Sequence, residues 1–230
     1  MTKGRKPARL RYDEGCLAAH ALNVIGDRWA LLVVRELMFA AKRFQAIRAG
    51  LPGITASVLT QRLAQLADAG VVVQNPALGF YELTSAGRAL LPVLQSLCQW
   101  GVVQPGHDPG RFISPSALMI SMTAMIGRGA AARGLRVAAG FDMGRERFVQ
   151  HLSAAGRHRV RAVDAPMGDF ILSGDGNSLA PVVYGPAPLA DHLASGTVGL
   201  RGDPRAAQAF LDLFCLAGPP HRAAAAPSEP

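Results

Sequence analysis

RFQAIRAGLPGITASVLTQRLAQLADAGVVVQNPALGFYELT, residues 43–84, decides the fold of the first half of this chain. It reads as a short helix, a turn through Gly50, Pro52 and Gly53, a second helix, and a two-stranded hairpin. Thr55 is a good N-cap for the second helix. Ile54 before it and Leu59 after it have the spacing of a hydrophobic staple. At 100° per residue, Leu59, Leu63 and Leu66 fall on one apolar stripe with Ala67 beside them. Ser57, Gln61 and Ala64 fall on the opposite side, flanked by Thr60 and Gln65.

A helix, a tight turn, a polar-fronted helix and a β-ribbon together make the plan of a winged helix-turn-helix, whose second helix enters the major groove of DNA. Gln can bond adenine bidentately, and Ser or Thr can bond several bases. A solvated helix face is the plain alternative for Ser57, Thr60 and Gln61, and the flanking turn and hairpin favour DNA. The hairpin loop QNPALGF (74–80) is short and carries no Lys or Arg, so by itself it offers no charge-assisted contact to phosphate.

Residues 14–101 resemble the HxlR-type winged helix-turn-helix regulators. The matching pieces are Cys16, VIGDRWALLVVREL (24–37), KRF (42–44), LPGITASVLTQRLAQLADAGVV (51–72), YELTSAG (81–87) and LLPVLQSLCQWG (90–101). The resemblance implies a homodimeric DNA-binding regulator, often a repressor controlled by a small molecule or by redox chemistry. By position, Lys42 and Arg43 would open the first helix of the motif. Residues Thr55 to Arg62, with Ser57, Thr60 and Gln61 between them, would be the reading end of the second. The family wing is usually longer and basic, so here either the N-terminal arm compensates or DNA is bound weakly. In some members an N-terminal cysteine senses redox state, which makes Cys16 a candidate; a packed cysteine at a helix start is the alternative.

Composition fits these expectations. The 230 residues allow two domains, and the net charge of +8 suits a polyanionic partner. Basic and acidic residues number 12 and 7 through Gly110, then 12 and 9, so the excess is only mildly concentrated in the first half. The dense part is the arm KGRKPARLR (3–11), with five Lys or Arg in nine residues. Arg5, Lys6 and Arg9 are therefore candidate phosphate contacts, a solubilising tail being the alternative. Three widely spaced cysteines without metal-ligand spacing suggest a reduced, cytoplasmic protein with no metal. No signal peptide or spanning segment is read, because Arg35 and Glu36 interrupt WALLVVRELMFAA (29–41).

The expected order is a basic arm (1–13), the DNA-binding domain (14–101), a linker (102–113), an α+β domain (114–217) and a disordered tail (218–230). Helices are expected at 16–25, 29–40, 43–49, 55–69 and 85–100. The apolar stripe of the last one, Leu90, Leu91, Leu94, Leu97 and Trp100, suggests a dimer seam or packing on its own domain. Ser114 should cap a helix with Pro115 at its first position. Beyond it, strands are expected at 135–141, 146–152, 158–163, 169–172 and 197–201, with helices at 178–184, 187–194 and 204–216.

DFILSGDGNSLAPVVYG (169–185) and PLADHLASGTVGLRGDPRAAQAFLDLF (188–214) resemble the end of a sterol carrier protein-type domain. That resemblance implies an α+β sheet with helices over one face and an apolar tunnel between them. Met119, Met122 and Met125, with Val182, Val183, Tyr184 and Leu193, are then candidates to line a ligand pocket; core filling is the alternative. No catalytic constellation or cofactor motif stands out. DGN (175–177) is read as a turn and RGD (201–203) as the end of a strand. The expected protein is thus a ligand-responsive, homodimeric regulator of a DNA operator, without membrane contact. The rival is a small-molecule or lipid carrier whose winged helix contacts protein.

Overall fold

The computed structural model describes residues 11–126 and 134–214. Arg5, Lys6, Arg9, the Gly-rich stretch 127–133, Cys215 and the tail 218–230 lie outside the described residues. The N-terminal half runs α1 (Leu17–Ile25), α2 (Ala30–Leu37), β1 (Lys42–Arg43), α3 (Phe44–Ala49), α4 (Ala56–Asp68), β2 (Val72–Asn75), β3 (Phe80–Leu83), α5 (Ser85–Arg88) and α6 (Leu91–Gly101). This is a winged helix-turn-helix: α2 packs on the turn-linked α3 and α4, beside a small antiparallel sheet of order β1-β3-β2.

Local chemistry explains the boundaries. Between α3 and α4 the Ile54 N–H donates to the Leu51 carbonyl at 3.1 Å, with Pro52 and Gly53 at the two central positions of the turn. Gly53 has φ 86°, a left-handed value that suits Gly at the third position of a type II turn. The helix expected over 85–100 is two helices. Pro92 has no N–H and its ring would collide with the Arg88 carbonyl one turn earlier, so the chain restarts at Leu91. Tyr12 is pinned, its N–H donating to Asn23 Oδ1 and its carbonyl accepting from Asn23 Nδ2, both at 2.9 Å. Tyr12, inside the span 1–13 expected to be flexible, is thus held against α1.

The C-terminal half opens with α7 (Pro115–Met125) and continues as β4 (Val137–Met143), β5 (Glu146–Leu152), β6 (His158–Ala162), β7 (Phe170–Ser173), α8 (Gly176–Tyr184), α9 (Leu189–Ala194), β8 (Gly199–Gly202) and α10 (Pro204–Leu211). The sheet order is β6-β5-β4-β7-β8, with β4 and β7 parallel and the other pairs antiparallel. Caps start the helices as their sequences suggest: Ser114 accepts from the Ala117 N–H at 3.1 Å, Asp175 from Ser178 at 2.7 Å and Asp203 from Arg205 at 2.8 Å. Alternate residues of β4 and β5, including Val137, Ala139, Phe141, Phe148, Gln150 and Leu152, face inward against the helices.

Helix α7 carries apolar residues on more than one face because it serves two cores. Ile120 packs with Val33, Leu37, Leu59 and Leu63 of the first half, while Leu118, Met119 and Met122 pack with Phe141, Phe148 and Phe210 of the second. Two amides tie α6 to it: Gln95 Nε2 donates to Thr123 Oγ1 at 2.9 Å and Gln99 Nε2 to the Ala124 carbonyl at 3.0 Å. Residues 102–113 thus join two packed halves rather than spacing them apart. No single helix among the described residues is long and apolar enough to cross a membrane.

The methionines expected to line a pocket lie in the core. Met119 and Met122 are fully buried, and their sulfurs accept from Nε2 of the buried Gln150 at 3.1 and 3.2 Å. Gln150 Oε1 in turn lies 2.6 Å from His158 Nε2. Val182 and Val183 are core residues, Leu193 packs on the same cluster, and Tyr184 bonds Ser121 Oγ at 2.7 Å. Met125 is half-buried at the end of α7. Met119, Met122, Val182 and Val183 belong to one buried cluster with Phe141, Phe148 and Phe210, so among the described residues they act as core.

The His158–Gln150 pair makes one pH dependence calculable. Burial holds the His158 pKa down from 6.5 to about 4, and its Nδ1 is buried with no hydrogen-bond partner among the described residues to stabilise a second proton. The unfolded chain binds that proton near pH 6.5 and the folded one does not, so stability falls as pH drops through the window from 6.5 to 4. The loss between pH 7 and pH 5 should be about 2 kcal/mol. Urea melts of His158→Gln at both pH values should show that much less acid sensitivity than the parent protein. Equal acid sensitivity in both proteins would contradict it.

Candidate nucleic-acid interface

Helix α4 divides its residues as its periodicity requires. Leu59, Leu63 and Leu66 are buried, contributing about 1.5–3 kcal/mol each, while Thr55, Ser57, Thr60, Gln61 and Ala64 are exposed. Thr55 Oγ1 accepts the Val58 N–H at 3.3 Å and sits 3.1 Å from Ser57 Oγ. Thr60 Oγ1 donates to the Ala56 carbonyl at 2.9 Å, leaving its lone pairs and methyl outward. Gln61 projects from the first two turns with its amide in solvent.

Two of the expected DNA contacts are corrected. Arg62 lies three residues after Leu59 and four before Leu66, on the buried stripe. It is 8% exposed, pairs with Asp27 Oδ2 at 2.7 Å and donates to Gln65 Oε1. Its work is to fasten the segment between α1 and α2 to α4. Lys42 is 5% exposed, because successive residues of β1 point to opposite sides. It turns inward and Arg43 turns out.

Arg43 gains a role that the linear sequence conceals. The register Arg43↔Phe80 adds β1 to the wing, and the guanidinium lies over the Phe80 ring, 4.7 Å from its centre. The wing turn is closed by Asn75 Oδ1, which accepts from the Ala77 and Leu78 N–H groups at 3.1 and 3.2 Å. A hairpin without a basic residue of its own thereby carries a cation supplied from 37 positions upstream.

Lys42 enters a buried polar cluster that joins the two halves. Its Nζ pairs with Glu36 Oε2 at 3.3 Å and Glu146 Oε2 at 2.8 Å, and donates to Ser116 Oγ at 3.1 Å. Glu36, fully buried, also accepts from Ser114 Oγ at 2.6 Å and from Arg35. Arg35 Nη2 continues to the Gly50 carbonyl at 3.0 Å. Helix α2, the end of α3, the start of α7 and strand β5 meet at this point. Sequence reasoning missed it because its members are up to 111 residues apart.

The apolar stripe of α6 splits as well. Leu94 is buried in the N-terminal core, and the half-buried Leu90 packs on it. Leu97 and Trp100 are 45% and 65% exposed, in line with exposed Val93 and Val103. Cys16 is exposed at the N-cap of α1, where its side chain makes no capping bond. Cys98 is half-buried, and burial pushes its thiol up.

Relatives are similar to this chain over its first half. The HxlR-like helix-turn-helix family model matches residues 24–107. An HTH-type transcriptional regulator of Methanothermobacter thermautotrophicus is 33% identical over 98 residues, which is 40% of this chain and 75% of the relative. YkvN, an HTH-type transcriptional regulator of Bacillus subtilis, is 40% identical over 84 residues, 34% of this chain and 71% of the relative. Among solved structures, the reduced form of the transcriptional regulator YodB from B. subtilis is 30% identical, with 40% of this chain and 98% of that one covered and a TM-score of 0.36. Through its N-terminal half, the chain belongs to the HxlR-like helix-turn-helix family of transcriptional regulators.

Proposed function

We propose that this regulator binds operator DNA as a homodimer and represses transcription until a small apolar or amphipathic molecule engages its C-terminal half. Thr55, Ser57, Thr60 and Gln61 read base edges, and Arg43 grips a backbone phosphate beside them. The carrying observation is the outward polar face of α4 next to a wing cation at Arg43. Arg5, Lys6 and Arg9 add phosphate contacts from the N-terminal arm. The exposed row Val93, Leu97 and Trp100 packs against the same row of a second copy, since an apolar strip of that length favours a two-fold contact. The C-terminal half, similar in its α+β plan to sterol carrier-type domains, acts as the sensing half and is not an enzyme.

Fluorescence anisotropy with a labelled duplex from the protein's own promoter, read across a salt series, tests this function. Affinity should fall steeply with salt, and Arg43→Ala should lower the slope of log K against log[salt] by about 1 per subunit. A protein that binds its promoter no better than random duplex, or an unchanged slope in the variant, would count against it. Sedimentation of the same samples should give a dimer.

A further inference from the structure

We propose that the cleft between the helix-turn-helix and the C-terminal sheet is the effector site, and that it takes an aryl carboxylate or a similar apolar organic anion. This rests on the reading of the chain as a ligand-responsive DNA-binding protein, and it moves the sensor away from the packed methionine core. The cleft measures about 770 Å³, within the size range of sites for small organic molecules. Its apolar walls come from both halves: Phe39 after α2, Phe112 before α7, and Met143 and Phe148 from the sheet. Phe39 and Phe148 meet edge to face, with ring centres 5.9 Å apart.

Charge decides the class of ligand. Four cations line the cleft, but two are already neutralised. Lys42 is held between Glu36 and Glu146, and Arg147 pairs with Asp142 at 3.2 Å. Arg43 lies over the face of Phe80 and has no ion pair among the described residues. Arg145 is exposed and has no ion pair among the described residues, at the tip of the two-residue turn between β4 and β5, where Gly144 takes φ 78°. Asp164 at the rim is the one opposing carboxylate in the lining besides Glu146. An anion therefore meets Arg43 from the DNA-binding side and Arg145 from the sheet, with aromatic walls for its body. A neutral compound forfeits the charge-assisted bonds.

The same geometry links binding to DNA release. Arg43 is shared between the cleft and the wing, so an anion that engages it competes with phosphate, and each ligand weakens the other by the same factor.

Calorimetry on the full-length protein with 2-naphthoate, and with 2-naphthamide as its neutral counterpart, tests the assignment. The acid should bind at least about tenfold more tightly than the amide, and Arg145→Gln should weaken the acid by about fivefold or more without altering the amide. Phe112→Ala, at an exposed wall position, should weaken both compounds. No binding of naphthoate at millimolar concentration, equal affinity for acid and amide, or an unaffected Arg145→Gln would each overturn the assignment. Promoter anisotropy with and without naphthoate separates ligand binding in the cleft from DNA binding. Loss of DNA binding altogether defeats the functional reading while calorimetry still decides the cleft. DNA affinity that is intact and indifferent to bound naphthoate defeats the coupling through Arg43.

Discussion

Glu36→Ala should lower the melting temperature of this protein by about 6–20 °C. The estimate follows from a loss of about 3–5 kcal/mol when one partner is removed from a buried ion cluster, at about 2–4 °C per kcal/mol in a chain of this size. Glu36 is fully buried, and its oxygens take Lys42, Arg35 and Ser114. Its removal leaves two cations short of a counter-charge and a buried hydroxyl short of an acceptor. The surface pair Arg111–Asp108, whose side chains are 84% and 55% exposed, is the control. Arg111→Ala should leave stability essentially unchanged. Thermal melts followed by circular dichroism compare the two. A melt of Glu36→Ala within two degrees or so of the parent would mean that desolvation cancels the cluster's attraction.

Gly50 provides an independent check on the same cluster. A Cβ at this position would overlap Glu36 Oε2, so Gly50→Ala should destabilise by crowding the carboxylate. In the Glu36→Ala background the carboxylate is gone and the added methyl has room. The double variant should therefore be more stable than the sum of the single effects predicts, with a coupling of about 1 kcal/mol or more. Additive effects would place the strain of Gly50→Ala in the backbone instead. Because the cluster includes Ser114, Ser116 and Glu146 from the C-terminal half, its loss should also loosen the seam between the halves.

What could be read from sequence was the local part. Helix α4 falls within the expected 55–69, and every expected strand of the second half has a counterpart, because period-2 alternation and cap residues act over a few positions. The two-residue β1 has no period to detect, and it was this strand that turned Lys42 inward and placed Arg43 on the wing. Pro92 in LLPVLQ was a readable break that the strong leucine spacing overshadowed. Arg62 was also readable, since its offsets from Leu59 and Leu66 put it on the buried stripe. The methionines show a different limit: apolar periodicity finds the face that is buried but not whether the space beyond it is filled. Gln150, at an inward position of β5, was the available sign that a polar group had been built into that interior.

Gln61→Ala should separate base reading from simple attachment. Gln61 is exposed in the first half of α4, beyond the Thr55 cap and between Ser57 and Ala64 on the outward face. A bidentate Gln contact to adenine discriminates by about 1–3 kcal/mol, so a dimer with two such contacts stands to lose about 2–6 kcal/mol on its operator. Affinity for random duplex rests on phosphate contacts and should stay within about twofold of the parent. The ratio of operator to random affinity should thus fall at least about thirtyfold, a larger change than Arg43→Ala produces in that ratio, since Arg43 acts on the backbone of both. Competition binding with the promoter duplex against a scrambled duplex at fixed salt gives the ratio directly. Equal losses on both duplexes would show that Gln61 does not read bases, and would shift the specificity to Ser57 and Thr60 or to the shape of the DNA.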